Sequence, residues 1–220
     1  MGKYKTAHQI FRHILKNRHE NLGIFNENTL HSMTNQAFVL YKLGHLDLAL
    51  CLYQEVLNKT DEDWDLQGSV YHSMGNVYTK KREFNNAIKV YTESMNLKRK
   101  LFKYEHRSVA RSLHNMGMVY CNQKKYDEAE ISLNEALFIN KKVLKSHHPD
   151  IGKAMLDLGR VHMKKSEYAK AKQYFTDAKQ LFLVANLPES HVFVKSVDSN
   201  LVFIEKKSKM KMNPIIETAH

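Results

Sequence analysis

Glycine and alanine recur in this chain at one interval, and that interval leaves few architectures open. Gly75, Gly117 and Gly159 each stand twelve residues before an alanine (Ala87, Ala129, Ala171), and successive members of both series lie 42 residues apart. The flanking segments align in the same register: YHSMGNVYTKKREFNNAIKVYTESM at 71–95, LHNMGMVYCNQKKYDEAEISLNEAL at 113–137 and MLDLGRVHMKKSEYAKAKQYFTDAK at 155–179. An earlier copy at 35–57 keeps the twelve-residue step from Ala37 to Ala49. Ala7 precedes Ala49 by a further 42 residues, so the chain is expected to open on the second helix of a partial copy.

Each copy reads as two amphipathic helices. Val109, Leu113, Met116, Val119 and Tyr120 recur at steps of three and four, and Ala129, Leu133, Ala136 and Leu137 mark a second stripe. Glycine inside a helix costs about 1 kcal/mol against alanine, so its return at one position needs a packing reason, the close approach of two backbones. One helix pair cannot bury its apolar stripe alone, whereas stacked pairs share a continuous core. An all-α solenoid follows. The scarcity of glycine (8) and proline (3) among 220 residues argues against a β-rich alternative that needs frequent tight turns.

The order of small residue, aromatic, aromatic and alanine, as in Gly117, Tyr120, Tyr126 and Ala129, resembles the tetratricopeptide repeat. The 42-residue period and HHPD at 147–150 are similar to the kinesin light chain variety of that family. Leu22-Gly23 alone keeps the family's inter-repeat Leu-Gly, and Glu27 and Arg107 stand where Pro149 stands. The resemblance implies a right-handed solenoid over residues 1–205. It comprises a partial repeat at 4–22, repeats near 27–58, 65–100, 107–143 and 149–186, and a capping helix at 188–207 bearing Val194, Val197, Leu201 and Ile204. Residues 208–220 read as a basic flexible tail.

Chemistry is sparse. The chain has no HExxH, phosphate-binding loop, GxSxG or CxxC pattern, so no catalytic residue, cofactor or metal is expected. His147-His148 is the densest histidine pair, and His148 belongs to the turn signature, where it starts a helix. His72 and His114 occupy equivalent repeat positions and lack a third ligand for zinc. Cys51 and Cys121 share no metal or redox spacing, which fits a reducing, cytoplasmic setting. No apolar run approaches a membrane span, and MGKYKT matches the short N-myristoylation pattern at Gly2.

If first helices line the concave face, as the family resemblance implies, counting from each glycine or alanine anchor gives its residues. The peptide-binding candidates are Asn35, Phe38, Tyr41, His72, Asn76, Lys80, Arg111, His114, Asn115, Met118, Lys153 and Arg160. Six cations stand at inward positions against one carboxylate, Asp157. Asparagine amides can hold a peptide backbone on its donor and acceptor sides, and arginine can grip a carboxylate. The expected function is a non-enzymatic adaptor that binds an acidic, aromatic-containing peptide of a partner protein; the resemblance to kinesin light chains implies the same ligand class. Two other readings stay open. A net charge of +11 with Lys206, Lys207, Lys209 and Lys211 in the tail fits nucleic acid, although base-reading motifs are absent. Self-association or assembly into a larger complex, without a linear motif, is the other.

TDEDWDLQG at 60–68 places Trp64 among four carboxylates in this basic chain. Trp64 falls eleven residues before Gly75, as His106 and His148 do before Gly117 and Gly159. The segment therefore reads as an inter-repeat turn in a unit four residues short, its acids placed where a helix N-terminus favours them. Trp64 is expected to be buried there. Docking of this acidic turn into a basic groove is the alternative.

Overall fold

The computed structural model describes residues 26–60, 63–102 and 105–212, with side chains as far as 208. The partial repeat at 4–22, Gly2, Asp61, Glu62 and the side chains of Lys209 and Lys211 lie outside the described residues. Those described form nine helices and no strand: α1 (Glu27–Leu43), α2 (Leu46–Asn58), α3 (Trp64–Lys81), α4 (Phe84–Phe102), α5 (Arg107–Asn122), α6 (Tyr126–Val143), α7 (Pro149–Lys164), α8 (Tyr168–Val184) and α9 (Val192–Met212). This is the all-α repeat fold of the solenoid class. Packing divides the chain into two compact units, Met1–Val119 and Tyr120–His220.

The turn inside each helix pair has one design. Its left-handed residue is Gly44 (φ 91°), Arg82 (64°), Lys124 (63°) or Ser166 (63°), recurring at the same intervals as the repeat alanines. The next residue's N–H reaches back five positions: His45 to Leu40 O, Glu83 to Tyr78 O, Lys125 to Tyr120 O and Glu167 to His162 O, at 2.9–3.0 Å. Those bonds satisfy carbonyls the helix end would otherwise leave unpaired. Only glycine adopts this conformation without strain, and other residues lose roughly 1 kcal/mol there. Lys124→Gly is therefore expected to stabilise the protein by about 0.5–1 kcal/mol, read as a rise in Tm, since the unfolded chain's added freedom offsets part of the gain. A fall in Tm would refute the strain.

In the first unit, Leu30, Met33, Ala37, Ala49, Tyr53, Val56, Val70, Met74 and Val77 build the core, continued by Ala87, Tyr91 and Val119. Gly75 marks a ring pressed onto backbone: a Cβ there would fall well inside van der Waals contact with Tyr91 Cε1. In the second unit Gly159 does this for Phe175, and Gly152 for Phe182. That unit packs Ala129, Leu133, Ile151, Leu158 and Val161 in one cluster, and Phe175, Phe182, Val194, Val197 and Ile204 in another. The last three residues are the capping stripe of α9, which closes the unit over α8.

The acidic turn is built as helix punctuation, with one departure from expectation. Asp63 caps α3, its carboxylate accepting from the Leu66 N–H at 2.9 Å. Asp65 holds Lys98, a cation only 3% exposed, whose Nζ also donates to the Asp65 carbonyl (2.8 Å) and Ser69 Oγ (3.0 Å). Trp64, expected to be buried, is 45% exposed, with Lys100 Nζ 6.0 Å from its ring centre. The first helical position turns the ring outward, while Leu66 takes the inward one.

Candidate functional site

Of the twelve candidates, Tyr41, Asn76, Lys80, Asn115 and Met118 converge in the first unit. With Thr79 and Tyr91 they line an open pocket of about 200 Å³. The side chains come from α1, α3, α4 and α5, whose inward faces the repeat register sets. At one side Lys80 Nζ lies 5.0 Å from the Tyr41 ring centre and donates to the Tyr41 carbonyl at 3.3 Å. Lys42 Nζ lies 5.0 Å from the ring of Phe38 and 5.3 Å from that of Tyr41. Phe38 is 45% exposed, its ring 6.2 Å from Tyr41, and Asn35 is exposed on the same helix. No carboxylate lines the pocket.

At the other side Asn76 Oδ1 accepts two hydrogen bonds, from Tyr91 Oη at 2.8 Å and Asn115 Nδ2 at 3.0 Å. The Asn115 amide nitrogen also faces His72 Nε2 at 3.4 Å. His72 and His114, expected on the groove surface, are each only 7% exposed. His72 acts from behind the amides. Burial, then the nearby Arg111 and Lys98 charges, lower its pKa to about 3, so the imidazole is neutral. Burial likewise pushes the Tyr91 hydroxyl up to about 12, which keeps it a donor to Asn76. Arg111 itself is exposed.

Lys153 and Arg160 belong to the second unit and take no part in this pocket. Arg160 is held internally, its guanidinium donating to Asp157 Oδ1 at 2.7 Å and to Ser196 Oγ at 2.6 Å. Asp157 is 3% exposed, so this arginine neutralises a buried carboxylate. Burial, and secondarily Asp157, raise the Cys121 thiol to about 11, which leaves it without nucleophilic character near neutrality. His148 caps α7, its Nδ1 accepting from the Asp150 N–H at 3.1 Å. Among the described residues no group of three or more His, Cys, Asp or Glu could hold a metal ion, and no helix is long and apolar enough to cross a membrane.

Tyr91 is the pocket residue that inward counting missed, because it comes from a second helix. The signal was present: Tyr91 follows Gly75 by sixteen residues, as Phe175 follows Gly159. The ring that fills the glycine notch also carries the hydroxyl that reaches Asn76.

Comparisons with known proteins agree with this architecture. No curated protein sequence matches the chain. Among solved structures, BtubC (BKLC) from P. vanneervenii superposes with a TM-score of 0.75 at 18% identity, covering 94% of this chain and 82% of that one. The nearly identical TPR-like repeats assigned to a kinesin light chain of Podosopora anserina give 0.69 at 17% identity, covering 85% and 90%. The apo form of RapI gives 0.72 at 16%, covering 82% and 64%. At these identities the likeness speaks to fold. A tetratricopeptide repeat family model matches residues 66–142 and 108–183, more than half of the chain. With the helix pairs, the glycine–ring packing and the recurrent turns, this places the chain in the tetratricopeptide repeat family.

Proposed function

We infer that this chain is a non-catalytic adaptor that binds an extended acidic peptide of a partner protein, with the first-unit pocket as its principal contact. Tetratricopeptide repeat folds generally serve as protein-interaction scaffolds, and the structural neighbours include a protein assigned as a kinesin light chain. The observation that carries the reading is the pairing of two groove amides with a cation, Lys80, and no carboxylate in one pocket. Asn76 and Asn115 hold the peptide backbone, Lys80 and Arg111 attract its acids, and Phe38, Tyr41 and Met118 offer apolar contact for an aromatic. Asn35 extends the polar contacts along α1. Lys153 and Arg160 lie in the second unit and form no part of this contact, and Asp157 already neutralises Arg160.

A capped peptide with the sequence DEDWDL, followed by fluorescence anisotropy, is a suitable probe. Reversing both charges, Lys80→Glu with Arg111→Glu, is expected to weaken its binding at least tenfold with helical content unchanged, because like charges then face each other. Affinity should fall with added salt. Unaltered binding by the double variant would sink the pocket assignment. Tight binding of single-stranded RNA with none of the peptide would replace the adaptor by the nucleic-acid reading.

A further inference from the structure

A line of buried hydrogen bonds runs from the α3 backbone to the pocket, and its proton directions follow from one fixed end. Ser94 Oγ donates its only proton to the Gly68 carbonyl at 2.7 Å. At its 3.2 Å contact with Ser112 Oγ, Ser94 must therefore accept. Ser112 thus gives its proton to Ser94 and offers a lone pair to His72 Nδ1 at 3.1 Å. That requires a hydrogen on His72 Nδ1 and a lone pair on Nε2. The Nε2 lone pair then faces the amino group of Asn115 and favours it over the amide oxygen. Asn115 in turn donates to Asn76 Oδ1, which the Tyr91 hydroxyl holds from the other side. All three relay side chains are buried, so water does not compete for these bonds.

We propose that His72, held as its Nδ1–H tautomer by Ser94 and Ser112, is a positioning residue that sets the direction of the Asn76–Asn115 amide pair. The amide pair is thereby left presenting its donor group at Asn76 Nδ2 and its acceptor at Asn115 Oδ1, in a single arrangement. This rests on the peptide-binding reading for its consequence: a backbone carbonyl is received at Asn76 and a backbone N–H at Asn115. A flipped Asn115 would set its oxygen against both the Nε2 lone pair and Asn76 Oδ1, which disfavours the alternative arrangement. The neutral state of His72, kept by burial beside two cations, is what preserves the lone pair.

The test uses the whole chain labelled with ¹⁵N. Long-range proton–nitrogen spectra should show His72 with Nδ1 protonated and Nε2 bare. Ser112→Ala removes the acceptor at Nδ1 and is expected to give a mixed tautomer, a shifted Asn115 side-chain amide signal and about fivefold weaker DEDWDL binding. Ser112→Thr, which restores a hydroxyl, should recover all three. Ser94→Ala supplies the same readout one link further back if Ser112→Ala fails to fold. An Nε2–H tautomer in the parent protein overturns the proposal, as does an Asn115 signal indifferent to both alanine variants. If the spectra behave as expected while the peptide fails to bind the parent, the positioning role stands and the peptide reading falls.

Discussion

Phe175→Ala is expected to lower the stability of the second unit by about 3–5 kcal/mol, the usual cost of removing a fully buried aromatic ring. Phe175 is fully buried, among Leu156, Ala171, Ala178 and Phe182, and its ring lies against the backbone at Gly159. Glycine cannot fill the void from below, and the neighbouring alanines are too short to fill it from the side. Urea unfolding by circular dichroism, with hydrogen exchange of α7 and α8 amides to locate the loss, would measure it. A cost below about 1 kcal/mol would mean that the cluster collapses around the gap, contrary to close packing.

The same contact gives glycine its meaning. Gly159→Ala improves intrinsic helix propensity by about 1 kcal/mol. Its Cβ would however fall 2.5 Å from Phe175 Cε1, and the buried ring has no free direction of retreat. The net effect is expected to be destabilising by roughly 1–3 kcal/mol. Adding Phe175→Leu to Gly159→Ala should return part of that loss, a coupling readable in a double-mutant cycle. Stabilisation by Gly159→Ala alone would show that the ring yields.

The fold was legible because similar repeated units impose their period on the sequence. Gly75 and Gly159 mark a backbone notch, Ala87, Ala129 and Ala171 the facing helix, and an all-α repeat fold follows from the period of both. The turns were harder to read, since Arg82, Lys124 and Ser166 occupy a conformation that usually advertises itself through glycine, as Gly44 does. Counting along first helices brought Asn76, Lys80, Asn115 and Met118 to one pocket, because those positions repeat with the helices. It failed at Arg160, which read as an available cation although Asp157, three residues back on the same helix, neutralises it. Its second partner, Ser196 in α9, has no counterpart at a repeat spacing. The burial of His72 and His114 was missed for a related reason. An inward-facing position on one helix can be covered by a neighbour, and the helical period does not reveal which. Trp64 erred in the opposite sense: its size suggested burial, whereas its place as the first residue of α3 exposes it.

Lowering the pH from 7 to 5 is expected to cost the protein about 2 kcal/mol through His72 alone. The pKa of this residue is about 3 in the fold, against 6.5 for an ordinary histidine. Between those values the unfolded chain binds a proton that the folded one refuses. Stability is therefore intact above about pH 6.5 and falls as the pH drops towards 3, by about 1.4 kcal/mol for each unit of pH. Glu83 and Glu167, whose ion pairs and hydrogen bonds hold them below the ordinary carboxylate value of 4.5, change in the same sense only under that pH. They leave the upper window to histidine. In His72→Gln, urea midpoints measured at pH 7, 6 and 5 should be flatter than in the parent by about that amount, whatever the variant's absolute stability. Parallel slopes would mean that His72 takes up a proton in the folded state. Protonation would place a hydrogen on Nε2 against the Asn115 amino group, so the same pH series should loosen the amide pair. The stability of the first unit and the order of its pocket thus depend on one buried imidazole staying neutral, and the slope difference measures how firmly it does so.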